Sequence, residues 1–151
     1  MGSNRTAPRQ AFAAPAPLAI VFPRSTEDVV AVVHCARTHG FALVPSGGRT
    51  GLSGGAVAAN GEVVVSMDKL KAVGAVNVTD RSVTVGAGAI TQSIQDAASQ
   101  VGLFYPVDFA SSGSSQIGGN IATNAGGSNV IRYGMTRDWV AGLTVVTGKG
   151  E

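Results

Sequence analysis

A single cysteine, Cys35, is all the disulfide chemistry available in 151 residues. It excludes an intramolecular disulfide framework and fits a reducing, cytoplasmic compartment. Charge is scarce at 13% of residues, and the formal net of +2 comes from Arg5 and Arg9 near the N-terminus; without that pair the signs balance at nine each. Aromatic residues make up only 5%. With no basic patch and no aromatic ladder, nothing points to nucleic acid. No apolar run approaches the length of a membrane span. The only histidines, His34 and His39, stand five apart, off any common helical face, so no metal site is expected. Neither lies near a glycine-dense segment, which leaves a Ser/His/Asp arrangement without support. Asp108 and Asp138 are far apart in sequence, and Asp138 beside Arg137 reads as surface pairing.

Apolar residues, by contrast, reach 44%, enough for one globular domain with a real core. Residues 1–16 are Ala/Pro-rich and contain no acid, and they read as a disordered tail ahead of a domain over 17–151. Met1-Gly2-Ser3 resembles a tag remnant. Pro8, Pro15 and Pro17 interrupt any amphipathic helix that a transit peptide would need. Leu18–Phe22 reads as a buried strand ended by Pro23. Ser25 suits an N-cap, Glu27 and Asp28 suit the first turn, and Val29, Val32, Val33 and Ala36 form a helical stripe. Gly40 then ends the helix, and Phe41–Val44 reads as a second strand, so 18–44 is expected to be a right-handed βαβ unit. Further expected elements are a strand over 62–66, a hairpin over 73–85 and a helix over 91–101. A short glycine-containing helix over 117–125 and a last strand over 139–147 complete the set. The mixed parallel and antiparallel signals make the class α+β. Gly148-Lys149-Gly150 reads as a hairpin turn without its return strand, so the domain is expected to be incomplete at its C-terminal end. Strand 139–147 would then carry an unpaired edge capable of self-association.

Glycine is abundant, 21 in all, and clustered, with five inside 46–55 and six inside 113–134. The first cluster, Pro45-Ser46-Gly47-Gly48-Arg49-Thr50-Gly51-Leu52 and on to Gly55, leaves the expected carboxyl end of the second strand, where ligands of open α/β layers bind. Its amides can converge on anionic oxygen, and Thr50 and Ser53 add hydroxyl donors. An ordinary flexible loop is the competing reading. The second cluster runs from Gly113 and Ser114 through Ile117-Gly118-Gly119-Asn120 to Thr123-Asn124-Ala125 and Gly127. Its small residues would let a flat ring or an adenosine lie against backbone. Asn120 and Asn124 each offer a donor and an acceptor. A tightly packed helix, with glycine serving only close contact, is the alternative.

The familiar nucleotide fingerprints fail. Gly86-Ala87-Gly88 has Thr91 where a third glycine belongs, and no suitable acid follows. Gly148-Lys149 lacks the hydroxyl residue of a P-loop. Gly86 and Gly88 therefore read as turn glycines.

Several segments together resemble the flavin-binding domain of the vanillyl-alcohol oxidase/p-cresol methylhydroxylase family. They are Phe22–Val29, Pro45–Leu52, Val83–Gly88, Pro106-Val107-Asp108, Ile117–Gly127, Arg132-Tyr133-Gly134 and Gly142–Val146, in the family's order over about 130 residues. The fit is best with its D-2-hydroxyacid branch: the glycolate oxidase D-subunit, D-lactate dehydrogenase and D-2-hydroxyglutarate dehydrogenase. The resemblance implies FAD, with Pro45, Ser46, Gly47, Gly48, Arg49, Thr50, Gly51 and Leu52 around its diphosphate. It implies Gly113, Ser114, Gly118, Gly119, Asn120, Thr123, Asn124 and Ala125 along the diphosphate and isoalloxazine, and Pro106 near adenosine or ring. Where some relatives attach FAD through a histidine, this chain has Arg49 and Thr50, which implies non-covalent FAD. A small 2-hydroxyacid substrate and an electron acceptor follow for the intact enzyme. No catalytic acid, base or metal ligand can be named within the chain. A truncated non-catalytic nucleotide- or partner-binding module, or a sugar-nucleotide reductase of the same fold, are the alternatives.

Overall fold

The computed structural model describes residues 16–151, so the expected N-terminal tail lies almost wholly outside the described residues. Three strands, β1 (Ala19–Val21), β2 (Leu43–Ser46) and β3 (Val63–Ser66), form a sheet in the order β1-β3-β2, every pair parallel. β3 takes the centre and is the most buried of the three. Val63 and Val65 are buried, and Ser66 closes the strand at 1% exposure. A central strand covered on both sides reads as a continuous apolar run. β1, α1 and β2 are the expected βαβ arrangement, with β3 inserted between its two strands. β2 starts and ends two residues later than expected. It therefore includes Pro45, which has no N–H to donate and is tolerated because β2 is an edge strand.

Helix α1 (Thr26–His39) joins β1 to β2. The Asp28 amide donates to Ser25 Oγ at 3.1 Å, and Glu27 and Asp28 occupy the first turn, as the caps in the sequence dictate. Val29, Val32, Val33 and Ala36 form its more buried face, whereas His34 is exposed.

After β3 the chain makes a loose hairpin held by two antiparallel bridges, Val73 with Val85 and Asn77 with Ser82. It then enters α2 (Thr91–Gln100), α3 (Ile117–Ala122) and α4 (Val130–Tyr133). Ala89, Ile94 and Ile117 form the buried core here, with Val73, Val83, Val85, Tyr105 and Ile121 packed around them. Gly88 ties this half to the sheet. A Cβ there would strike the Met67 carbonyl oxygen, and its amide donates to the Leu70 carbonyl at 2.8 Å. Close backbone approach, in addition to a turn, is what requires glycine at this position.

The last strand is a second correction. Thr136–Trp139 is a 3-10 turn, and 140–147 pairs with no strand among the described residues. Its apolar residues alternate suitably, but Leu143 and Val145 stay about 60% exposed. Apolar patterning alone does not make a strand without a partner for its amides. Residues 148–149 do turn as expected, closed by the Gly150 amide on the Thr147 carbonyl at 2.9 Å.

A glycine-loop cleft as candidate FAD site

The first glycine cluster leaves β2 at Ser46 and crosses the carboxyl end of the sheet. Ser46 is buried and accepts the Met67 amide at 2.9 Å through its carbonyl. Beyond it, among the described residues, no backbone N–H from Gly47 through Ala56 donates to a protein acceptor, apart from ladder bonds of the sheet itself. The run is exposed from Arg49 to Gly55, so water or a ligand must satisfy these donors. Arg49 adopts φ 56°, the left-handed region, and places a positive side chain next to this row of amides. Alternation of right- and left-handed residues is how neighbouring amides come to face one anion.

The two glycine clusters meet. A Cβ at Gly48 would collide with the Ser114 carbonyl oxygen and lie 2.9 Å from Ser115 Cα. Gly48 is therefore the point where loop backbone lies on the backbone of the second cluster. Gly51, Gly54 and Gly55 have open space on the same test. That space is available to a ligand and is filled by none of the described residues. Beside the loop, a cleft of about 470 Å³ is lined by Ile20, Ser46 and Val64 of the sheet and by Phe22, Arg49 and Asp68.

The second cluster is held from inside by a polar network. The Thr91 amide donates to the Ser115 carbonyl at 3.0 Å, the Thr91 and Ser115 hydroxyls share a 2.7 Å hydrogen bond, and Asn120 Nδ2 donates to Thr91 Oγ1 at 2.6 Å. All of these side chains are buried. Asn120 thus braces the segment from within. Asn124, at φ 48°, works similarly: its Oδ1 accepts the Arg137 amide at 3.1 Å and its Nδ2 reaches Met135 Sδ. Pro106 is fully buried, and its carbonyl accepts from Asn129 Nδ2 at 3.1 Å. Gly113, Ser114, Gly119 and Thr123 are exposed, Ser114 Oγ donating to the Ser111 carbonyl and Thr123 Oγ1 to the Gly119 carbonyl. Gly118 and Ala125 are half-buried.

Two residues of the site escaped the reading of the sequence. Gln116 is buried and its Nε2 donates to Asp68 Oδ1 at 2.8 Å. That hydrogen bond, with help from Ser66 and the positive Arg49 and Lys69, holds the Asp68 carboxyl below its ordinary range. The available signal was a long polar side chain set between Ser115 and Ile117 in a segment otherwise built of small and apolar residues.

The site fits a dinucleotide carrying a diphosphate. It offers a row of free amides, one arginine, no carboxylate within the loop, and an adjoining cleft with apolar walls. Among the described residues there is no cluster of His, Cys, Asp or Glu that could hold a metal, and no helix is long and apolar enough to cross a membrane.

Comparison with known proteins agrees with this geometry. The FAD binding domain family matches residues 17–151. The chain is 64% identical to D-2-hydroxyglutarate dehydrogenase of Stutzerimonas stutzeri over 91% of its own length and 30% of the relative's. It is 39% identical to D-lactate dehydrogenase of Anaerostipes hadrus over 89% of its length and 28% of that protein's. It therefore spans less than a third of these curated relatives. Among solved structures, the grass pollen allergen Phl p 4, described as having glucose dehydrogenase activity, superposes with a TM-score of 0.78 at 23% identity, over 87% of this chain and 27% of the allergen. That likeness carries the fold. The family match over residues 17–151 makes this chain a member of the FAD binding domain family.

Proposed function

We propose that this chain is the FAD-holding part of a dehydrogenase or oxidase of small D-2-hydroxyacids, with D-2-hydroxyglutarate as the first substrate to test. The observation that carries it is the run of unpartnered amides from Gly47 to Ala56 beside an apolar cleft. The 64% identity to a D-2-hydroxyglutarate dehydrogenase supports D-2-hydroxyacids as the substrate class to test. In this reading Pro45 to Leu52 wrap the diphosphate: Gly47, Gly48 and Gly51 supply amides, Thr50 a hydroxyl and Arg49 a positive charge. Gly113, Ser114, Gly118, Gly119, Thr123 and Ala125 form the backbone wall along the cofactor. Asn120, Asn124 and Pro106 keep that wall in place from inside the fold.

FAD held between the 45–52 loop and the 113–125 wall would supply the hydride-accepting chemistry, and this chain's part is to bind and orient it. No residue within 16–151 is assigned as catalytic acid or base. An electron acceptor outside the chain would reoxidise the flavin, and a cytoplasmic location is in keeping with the single cysteine. The domain begins at residue 17.

The test is anaerobic reduction of the bound flavin in the intact enzyme, followed by its absorbance. D-2-hydroxyglutarate, D-lactate and glycolate are compared, with a sugar nucleotide plus NADPH as the contrasting reaction. Bleaching by a D-2-hydroxyacid supports the proposal. Bleaching only by NADPH makes the protein a reductase, and absence of flavin leaves a non-catalytic module.

A further inference from the structure

Gln116 has one amide atom in use and the other idle. Its Nε2 donates to Asp68 Oδ1 at 2.8 Å. Its Oε1 is buried and accepts no hydrogen bond from the described residues. The orientation is forced. Turning the amide over would set Oε1 against a carboxylate oxygen, two acceptors with no proton between them. Asp68 therefore fixes which way the idle oxygen faces, and it faces Gly47: a Cβ built on Gly47 would stand 3.3 Å from Oε1. A side chain at Gly47 would be tight against it, and Gln116 would have to give by a few tenths of an ångström. Gly48, the next residue, already rests on Ser114 and Ser115, directly before Gln116 in the chain. The first peptides of the glycine loop are thus pressed on one surface made of Ser114, Ser115 and Gln116.

We propose that Gln116 is the positioning residue of the glycine loop: anchored to Asp68 through Nε2, it sets its amide oxygen against Gly47 and so fixes where the free amides of 47–49 point. This rests on the reading that those amides hold the FAD diphosphate. The groups around Asp68 are Gln116 and Ser66 as hydrogen-bonding partners, Arg49 from the glycine loop, and Lys69 next in sequence.

The experiment compares wild type, Gln116→Leu, Gln116→Glu, and Gln116→Glu combined with Asp68→Asn. FAD affinity is measured by flavin fluorescence at pH about 6 and about 8. Two facing carboxyls cannot both ionise, so Gln116→Glu shares one proton with Asp68 and is forced open as pH rises. Its FAD affinity should fall at least about tenfold more than wild type between those pH values. The double variant restores a donor opposite an acceptor with reversed polarity, and should return to within about threefold of wild type at both. Gln116→Leu, which fills similar space with no polar atom, should bind about tenfold more weakly at both pH values. A residue that only filled space would show no pH response and no rescue.

Tryptic cleavage at Arg49 in the FAD-free chain, taken relative to wild type at each pH, reads the same coupling without ligand. Cleavage of Gln116→Glu should accelerate selectively at the higher pH. Equal cleavage in wild type and Gln116→Glu overturns the positioning role, as does wild-type affinity in Gln116→Leu. Should wild type bind no FAD, the cofactor reading fails while the cleavage comparison still decides the role of Gln116.

Discussion

Gly48 and Gly51 look interchangeable in the sequence, three residues apart in one loop. The fold gives them different jobs. At Gly48 an added Cβ meets the Ser114 carbonyl, so the chain itself forbids a side chain there. At Gly51, beyond its own two chain neighbours, no atom of the described residues lies within 4 Å of the same position. Gly48→Ala should therefore destabilise the protein by about 1–3 kcal/mol in urea unfolding, as overpacking does. Gly51→Val should leave stability within about 0.5 kcal/mol and yet weaken FAD binding at least about tenfold by flavin titration. If Gly51→Val binds FAD normally, the loop does not hold the diphosphate. Arg49→Ala should do less than Gly51→Val, because the amides carry most of the contact.

Among the elements, α1 was the most legible. Its N-cap, first-turn acids, apolar stripe and terminal glycine all lie in one continuous stretch and need no partner to be recognised. Ser25→Ala removes the 3.1 Å bond from the Asp28 amide. That should cost about 1 kcal/mol, or about 2–4 °C in Tm for a chain of this size. FAD affinity should be unchanged, because no residue of α1 lines the cleft. A drop in FAD affinity with the cap removed would mean that α1 and the loop are coupled. The segment 139–147 shows the opposite case. Its pattern suits a strand, but a strand exists only beside another, and β1, β2 and β3 pair with one another alone. The antiparallel hairpin was half legible: Asn77 and Ser82 pair around the expected turn, yet the ladder between them and Val73–Val85 is incomplete.

For the molecule as a whole, FAD should bind the folded chain and not the unfolded one. At a concentration 100 times its dissociation constant it would then add about 2.7 kcal/mol of stability, readable as a rise in Tm. Neither glycine cluster contains His or Cys, so acid precipitation of the loaded protein should release all the flavin to the supernatant. Flavin that stays with the pellet would reveal a covalent link.

Helix α1, the apolar strand at 63–66, the two glycine clusters and their order along the chain were decided by the sequence alone. These signals are local: caps, periodicity and glycine density depend on near neighbours. Strand order was a tertiary decision, because it depends on which strand buries best from both sides, and β3 lies between β1 and β2. So was the division of the asparagines and glutamine into inner braces. Asn120 finds Thr91 and Gln116 finds Asp68 across 29 and 48 residues, respectively. No spacing rule predicts such pairs; burial forces each polar group to take whatever partner the fold brings within reach.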